Sequence, residues 1–169
     1  MARNTKIGDV FSAKINNNCK KYLQCIISDL TQLNSDVIRV FKEQYSIDSK
    51  PNLKDVVNGE VQFYAHCVTK WGIKLGFWEK EGNIAEVGKT SHILFRSSSD
   101  RGNIEIKISN NWWLWTINED QRFVGKLYGE NRKAEVGSVI PPDSIVYRMA
   151  HGKYDFVYPQ MNDDNIDKQ

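Results

Sequence analysis

Alternation of apolar and polar side chains, the pattern typical of β-strands, runs along most of the chain. Its clearest instance is residues 104–108, where three isoleucines alternate with Glu105 and Lys107. Such a strand buries one face and leaves the other in water. Further strands are predicted at residues 21–29, 37–41, 61–67, 112–117, 122–128 and 154–158.

Clusters of Asn and Gly separate these strands at short intervals. Three asparagines at residues 16–18 divide the first strand from the second, and residues 58–59 and 110–111 follow later strands in the same way. Asn and Gly tolerate the left-handed backbone angles that tight turns require. Short strands joined by such turns favour consecutive antiparallel pairing, hence a strongly bent sheet or a small barrel.

Two segments carry helical signals. Residues 51–57 begin with proline and stop at an Asn-Gly pair, which predicts one or two turns. The second helix is predicted within residues 141–152, where Asp143 or Ser144 can cap the start and Gly152 can end it. Its apolar face would carry Ile145, Val146 and Met149.

The predicted fold class is therefore mainly β, a β-rich α+β fold with one C-terminal helix and one short helix. No repeat, linker or change in composition divides the chain. Residues 1–159 are predicted to form a single β-rich domain. Residues 160–169 are polar and are predicted to form a flexible tail.

Composition and charge narrow the functional classes. The 169 residues are 40% hydrophobic and 26% charged, the balance of a folded globular protein. A chain of this length can bury a core without metals or disulfides. The formal net charge is only +2, and Lys and Arg are scattered among Asp and Glu. That charge is too small to indicate a nucleic-acid partner by itself.

Cysteine usage and the start of the chain predict a cytoplasmic protein. There are three cysteines, an odd number without a repeated spacing, at positions 19, 25 and 67. Residues 1–6 are polar and lead into the first strand without the apolar run of a signal peptide. No stretch approaches the roughly 18 apolar residues of a membrane span, so no membrane partner is expected.

Neither a metal nor a cofactor is predicted. Cys19 and Cys25 are not spaced like zinc ligands, and His66 adjoins Cys67 on a predicted strand. Neighbouring strand residues point to opposite faces, so His66 and Cys67 cannot easily share one ion. We expect Cys25 and Cys67 to be small buried core residues.

No catalytic residue is predicted. The chain has no Gly-x-Ser-x-Gly motif, and the serines at residues 97–99 lie in a polar loop whose nearest histidine is His92. Gly72 and Gly76 are not followed by the Lys-Ser or Lys-Thr pair of a phosphate-binding loop. The protein is thus predicted not to be an enzyme; an enzyme without a recognisable motif is the third alternative.

Tryptophan is the most unusual feature of the sequence. Trp112, Trp113 and Trp115 follow two asparagines, and residues 71–78 hold a second cluster. On a strand Trp113 and Trp115 share one side and Trp112 takes the other. One interpretation places all five tryptophans in the core. The other leaves the Trp113/Trp115 side partly exposed for a partner. The predicted partner-binding residues are Trp113, Trp115, Arg122, Lys126 and Tyr128.

Nucleic-acid binding is the alternative binding function. Small bent-sheet barrels bind single strands through aromatic side chains set among basic ones. Lysines at positions 70, 74, 80 and 89 surround the second tryptophan cluster, but glutamates at 79, 81 and 86 interrupt them. Mixed charge of this kind weakens the case for contacts along a phosphate backbone.

Two segments resemble a known family. Lys-Ile-Gly-Asp-Val-Phe at residues 6–11, followed by a hairpin, resembles the start of the immunity protein 26 family, and residues 137–142 before the C-terminal helix are similar to its end. These bacterial proteins neutralise polymorphic toxins delivered between competing cells. The resemblance implies a cytosolic, non-catalytic protein that binds a cognate toxin domain and occludes its active site. It assigns no binding residue here.

Overall fold

Two sheets form the framework of the protein, whose computed structural model describes residues 5–163. The first sheet contains six strands: β1 (Asp9–Lys14), β2 (Cys19–Asp29), β3 (Ser35–Phe41), β4 (Tyr45–Ser46), β5 (Val61–Cys67) and β6 (Glu79–Asn83). All of its pairings are antiparallel, in the order β5-β3-β2-β1-β6, with β4 paired to β2.

The second sheet contains four strands: β7 (Leu94–Ser98), β9 (Trp112–Thr116), β10 (Arg122–Gly125) and β11 (Glu135–Val136). Their order is β10-β9-β7-β11, and only β11 runs parallel to its neighbour. Two short strands, β8 (Ile108–Ser109) and β12 (Gln160–Met161), form a separate parallel pair. The helices are α1 (Leu53–Val57), α2 (Thr69–Lys74) and α3 (Pro142–His151).

The β-rich fold class with a short helix and a C-terminal helix is confirmed. Neither sheet closes into a barrel, so the barrel alternative is not found. None of the helices within residues 5–163 is long and apolar enough to cross a membrane.

One face of the first sheet is apolar across four strands. Phe11, Leu23, Val40 and Phe63 stand opposite one another in register, and all four side chains are buried. The alternation of the sequence produces this row, because every second residue of each strand faces the same side. Helix α3 lies over this face through its buried residues Ile145 and Met149.

Helix α3 ends as predicted but begins differently. Gly152 adopts φ 79, the left-handed conformation that ends a helix, as expected. Pro141 occupies the N-cap position without a side-chain cap, so the predicted capping by Asp143 or Ser144 is wrong. The Ser144 hydroxyl instead donates to Asp155, 2.7 Å away. Pro142, the first helical residue, has no backbone N–H for a cap to satisfy.

A buried lysine fastens the end of α3 to the first sheet. The Lys21 ammonium donates to the carbonyl of Met149 and to the side chain of Gln62, each at 2.9 Å. Gln62 in turn donates to the carbonyl of Arg148 at 3.3 Å. Burial lowers the pKa of Lys21. These donors satisfy carbonyls of the last helical turn, which have no partners within the helix.

The opposite face of the first sheet holds the segment that leads to the second sheet. Gln24 donates to the carbonyls of Ile84 and Glu86, at 2.8 and 3.2 Å. Arg39 donates to Gln24 at 2.9 Å and to the Glu86 carbonyl at 3.1 Å. Two buried polar side chains therefore hold this connection across the sheet.

Asp29 and His66, two buried residues of the first sheet, contact the second sheet. Both side chains are fully buried, and Nε2 of His66 donates to Asp29 at 2.9 Å. The other carboxylate oxygen accepts from the backbone nitrogens of Gln32 and Asn118, each at 3.1 Å. The His66 ring lies 4.1 Å from the ring of Phe95 on β7. Contacts to both sheets thus converge on this pair.

The strands predicted at 21–29, 37–41, 61–67 and 112–117 are confirmed, whereas the strand at residues 104–108 is wrong. Ile104 is 92% exposed and lies outside any strand. The Asn103 side chain accepts from the Glu105 nitrogen at 3.1 Å, and its carbonyl accepts from the Ile106 nitrogen at 3.1 Å. These local bonds hold a turn, which competes with strand pairing.

Two further predictions are wrong, and one helix was not predicted. Residues 154–158 form an irregular segment rather than a strand, and helix α2 (Thr69–Lys74) was not predicted. The predicted tail begins too early, because Gln160–Met161 pair with β8, and Asn162 is buried and accepts from the Leu127 nitrogen at 2.7 Å. The rest of that tail, residues 164–169, lies outside the described residues.

Truncation of Ile145 tests the seal between α3 and the first sheet. We expect Ile145→Ala to lower the free energy of unfolding by about 2–4 kcal/mol, because it leaves a cavity at a fully buried position. Chemical denaturation measures the change. The control is Val157→Ala at a fully exposed position, which should shift stability by about 0.5 kcal/mol or less. Equal effects of the two variants would show that α3 is peripheral.

Acid should destabilise the fold through Asp29 and His66. Burial lowers the pKa of His66 from its ordinary 6.5 despite the neighbouring carboxylate. As the pH falls, His66 is therefore protonated in the unfolded chain before it is protonated in the folded protein. The free energy of unfolding consequently decreases as pH drops below about 6.5. Burial alone would raise the pKa of Asp29, but its three hydrogen bonds hold it below 3.8, which adds a second loss in stronger acid.

Denaturation midpoints measured between neutral pH and pH 5 check this expectation. The His66→Gln variant should lose the steepest part of the pH dependence, whereas a His151→Gln variant, changed at an exposed position, should keep it. A His66→Gln profile parallel to that of the unmodified protein contradicts the assignment.

Candidate functional site

The hairpin formed by β9 and β10 divides its aromatic side chains between two faces. Trp112 and Leu114 are fully buried on one face, where they pack with Leu127. Trp113 and Trp115 project to the other face, as the strand period requires. Their surroundings differ, because only one end of β9 lies over the first sheet.

Trp115 is a core residue, so its predicted partial exposure is wrong. Its side chain is 2% exposed and stacks on Phe95, with ring centroids 6.0 Å apart. Ile26 and Val37 of the first sheet belong to the same cluster. A Cβ added at Gly137 would lie 2.1 Å from the indole, so the backbone also closes over this ring.

Trp113 is partly exposed and is joined by an aromatic residue that is not among the predicted binding residues. Phe123 stands opposite Trp113 in the β9–β10 register, and the two rings meet edge to face with centroids 5.3 Å apart. Phe123 is 55% exposed. The Trp113 indole donates to the Ser99 hydroxyl at 2.9 Å. A hairpin centred on Asn118 places residue 123 opposite residue 113, so the pairing could have been read from the turn.

The other predicted binding residues lie elsewhere on the same hairpin and beyond it. Arg122, Lys126 and Tyr128 are all exposed. Arg122 pairs with Leu114 in register and therefore projects to the face opposite Phe123. The register thus brings Phe123 beside Trp113, and it does not bring Arg122 there. We call Trp113 and Phe123 the hairpin pair.

The turn of this hairpin is fastened to the end of β2. Asn118, at φ 64, accepts from the Leu30 nitrogen at 2.7 Å and donates to the Ser28 carbonyl at 3.1 Å. Its own nitrogen donates to the buried Asp29 carboxylate. Asparagine tolerates this left-handed conformation better than most residues. The hairpin pair is therefore presented on an anchored support.

Helix α2 presents a second exposed apolar group. Trp71 is 43% exposed, with the Lys74 ammonium 4.9 Å from its ring centre, and Leu75 is 59% exposed. Trp78, the other tryptophan of residues 71–78, is a core residue, and its indole donates to the Thr69 carbonyl at 3.1 Å. Of the five tryptophans, Trp112, Trp115 and Trp78 are buried, and the other two reach the surface.

The cysteines are placed as expected, on the apolar face of the first sheet. Cys25 and Cys67 are buried there, and His66 projects to the opposite face. Burial raises the pKa of Cys25 to about 12 and also raises that of Cys67. Within residues 5–163 no group of three or more His, Cys, Asp or Glu side chains is placed to hold a metal ion.

Comparison of the chain with known protein families, with curated proteins and with solved structures returns no significant match. The resemblance to the immunity protein 26 family stays a prediction from the sequence.

Thiol labelling tests the placement of the cysteines. In the native protein Cys19, which is partly exposed, should react with a thiol reagent, while Cys25 and Cys67 should not. The two buried thiols are shielded, and their raised pKa keeps them out of the reactive thiolate form. All three should react in denaturant. Rapid native labelling at Cys25 or Cys67, or stoichiometric zinc in the purified protein, is the opposing result.

Proposed function

We propose that this protein binds another protein through the hairpin pair. The observation that carries the proposal is the exposed edge-to-face contact of Trp113 and Phe123 on an edge hairpin that Asn118 anchors to the first sheet. Large aromatic side chains contribute most of the binding energy at protein interfaces. A side chain already held in place loses little conformational entropy when a partner covers it.

The resemblance of both chain ends to the immunity protein 26 family suggests the kind of partner. In this proposal the partner is the cognate domain of a polymorphic toxin, and the protein acts in the cytoplasm of a bacterium. It neutralises the toxin by covering its active site or the path of its substrate. Such inhibition needs no catalytic residue and no cofactor in the inhibitor.

Nucleic-acid binding is the second candidate, and helix α2 is the observation that favours it. Trp71 offers a partly exposed ring for base stacking, and Lys74 holds a positive charge over that ring. Glu79, exposed beyond the helix, opposes this charge. Only one aromatic ring, that of Trp71, is offered for stacking on this helix, whereas binding sites for single-stranded nucleic acids use several stacked aromatic rings.

Substitution in the hairpin pair tests the first proposal. The partner for this test is the C-terminal domain of a polymorphic toxin encoded beside this gene. Trp113→Ala or Phe123→Ala should weaken binding to it by about 2 kcal/mol or more, roughly 30-fold, while the fold stays intact. Calorimetric titration measures the affinity. Trp71→Ala is the matched control and should bind normally. Trp115→Ala should unfold the protein instead, because that ring is buried.

Two results would contradict this assignment. Unchanged affinity in both hairpin variants together with a loss in Trp71→Ala moves the interface to α2. Binding of generic single-stranded DNA whose affinity falls steeply with salt indicates phosphate contacts and favours the second candidate.

A further inference from the structure

A groove of about 440 Å³ lies beside β7, on the side of the second sheet to which Arg96 projects. The irregular segment at residues 153–161 forms one wall, and the side chain of Arg96 from β7 reaches it from the sheet. The aromatic residues that line it are Tyr154, Phe156 and Tyr158. It is separate from the hairpin pair, which lies on the other face of the sheet.

Arg96 brings a largely buried positive charge to this groove. Its guanidinium lies 5.5 Å from the ring centre of Trp112 and 5.8 Å from that of Tyr158. One nitrogen donates to the carbonyl of Ala134, but Nε is buried and has no hydrogen-bond partner in the described part of the chain. Burial lowers the pKa of Arg96, yet a guanidinium stays charged at any physiological pH.

The neighbouring Arg148 forms an ion pair of the kind that is not found for Arg96 among the described residues. Arg148 is held by both carboxylate oxygens of Glu135, at 2.6 and 3.2 Å. Among residues 5–163, no ion pair between Arg96 and a carboxylate is found. The negative charge of Glu135 favours the charged form of Arg96, but Glu135 is itself paired with Arg148. A largely buried charge without a direct ion pair is costly, and it is normally retained only where something offsets that cost.

Further positive charge gathers at the same place. The Arg101 guanidinium lies 5.9 Å from the ring centre of Tyr158, on whose ring Arg96 also rests. Lys153 is exposed at the rim. No Asp or Glu is among the described residues that line the groove. The lining therefore attracts an anion, and the carboxylate of Glu135, whose charge acts on Arg96, is already held by Arg148.

Flat rings form the rest of the surface. Tyr154 and Phe156 stack with centroids 4.9 Å apart and an interplanar angle of 16°. Phe156 is exposed, so this stack can be extended by one more ring from solvent.

We propose that this groove binds a small anion that carries an aromatic ring. Its phosphate or carboxylate group pairs with Arg96, and its ring packs on Phe156 or Tyr158. Guanidinium groups bind both anions through paired hydrogen bonds, so the two ligand chemistries share this site. This ligand site does not depend on the proposed protein partner.

Titration with defined probes tests the proposal. Adenosine monophosphate supplies a phosphate with a ring, benzoate a carboxylate with a ring, inorganic phosphate the anion alone, and adenosine the ring alone. We expect saturable binding of adenosine monophosphate or benzoate, weaker binding of inorganic phosphate and none of adenosine. The preference between the first two identifies which anion the groove takes.

Variants assign the binding to the groove. Arg96→Met should weaken binding of the preferred probe by about tenfold or more, and Lys153→Ala by a smaller factor, because removing a charged hydrogen-bond donor has effects of that size. Lys126→Ala, an exposed lysine outside the groove, is the matched control. Circular dichroism checks folding. If Arg96→Met does not fold, Arg101→Ala takes its place, with the same direction expected.

Two outcomes would overturn the proposal. The first is the absence of saturable binding of both ring-bearing anions at millimolar concentration. The second is equal binding to the folded groove variants and to Lys126→Ala, which would place the anion elsewhere on the surface.

Discussion

The second sheet meets the first at a buried, hydrogen-bonded pair of first-sheet residues, His66 and Asp29. Asp29 ends β2, His66 lies on β5, and the carboxylate also accepts from the nitrogen of Asn118 in the β9–β10 turn. A buried carboxylate is tolerated only when donors surround it, and here three do. The His66 ring carries the contact onward to Phe95 of the second sheet. These contacts together restrain the orientation of the second sheet, while Nδ1 of His66 is buried without a hydrogen-bond partner in the described part of the chain.

This constraint bears on which of Trp113 and Trp115 reaches the surface. With the β9–β10 turn held at the end of β2, the C-terminal end of β9 must lie over the first sheet, and Trp115 is buried there against Phe95. Trp113, two residues earlier on the same face, extends beyond that contact and meets Phe123 instead. The exposure of the hairpin pair therefore depends on which part of β9 lies over the first sheet, and it does not follow from the hydrophobicity of the residues involved.

The sequence predicts the parts of the fold that depend on local pattern. Strand alternation locates the central strands of the first sheet and the apolar face of α3, because burial there follows the period of each element. The same alternation at residues 104–108 predicts a strand wrongly, since hydrogen bonds to Asn103 hold a turn there and only Ile108 enters a strand, β8. Trp115, Phe123 and Arg96 could not be placed in this way. Their surroundings are formed by segments far apart in the chain. The periodicity of apolar residues does not predict which end of β9 packs against the first sheet.

The two faces of the second sheet can serve different ligands because β9 separates them. Trp112 contacts the Arg96 guanidinium on one face, and its neighbour Trp113 meets Phe123 on the other. Adjacent strand residues point in opposite directions, so a partner on the hairpin pair and an anion in the groove would not touch. Trp112 is itself fully buried and hydrogen-bonded through its indole to the Ser109 carbonyl at 2.9 Å, which leaves it little freedom to move. Coupling between the two surfaces would need an element that can adopt two alternative arrangements. A packed, hydrogen-bonded strand has only a single arrangement. The geometry therefore favours independent binding at the two faces.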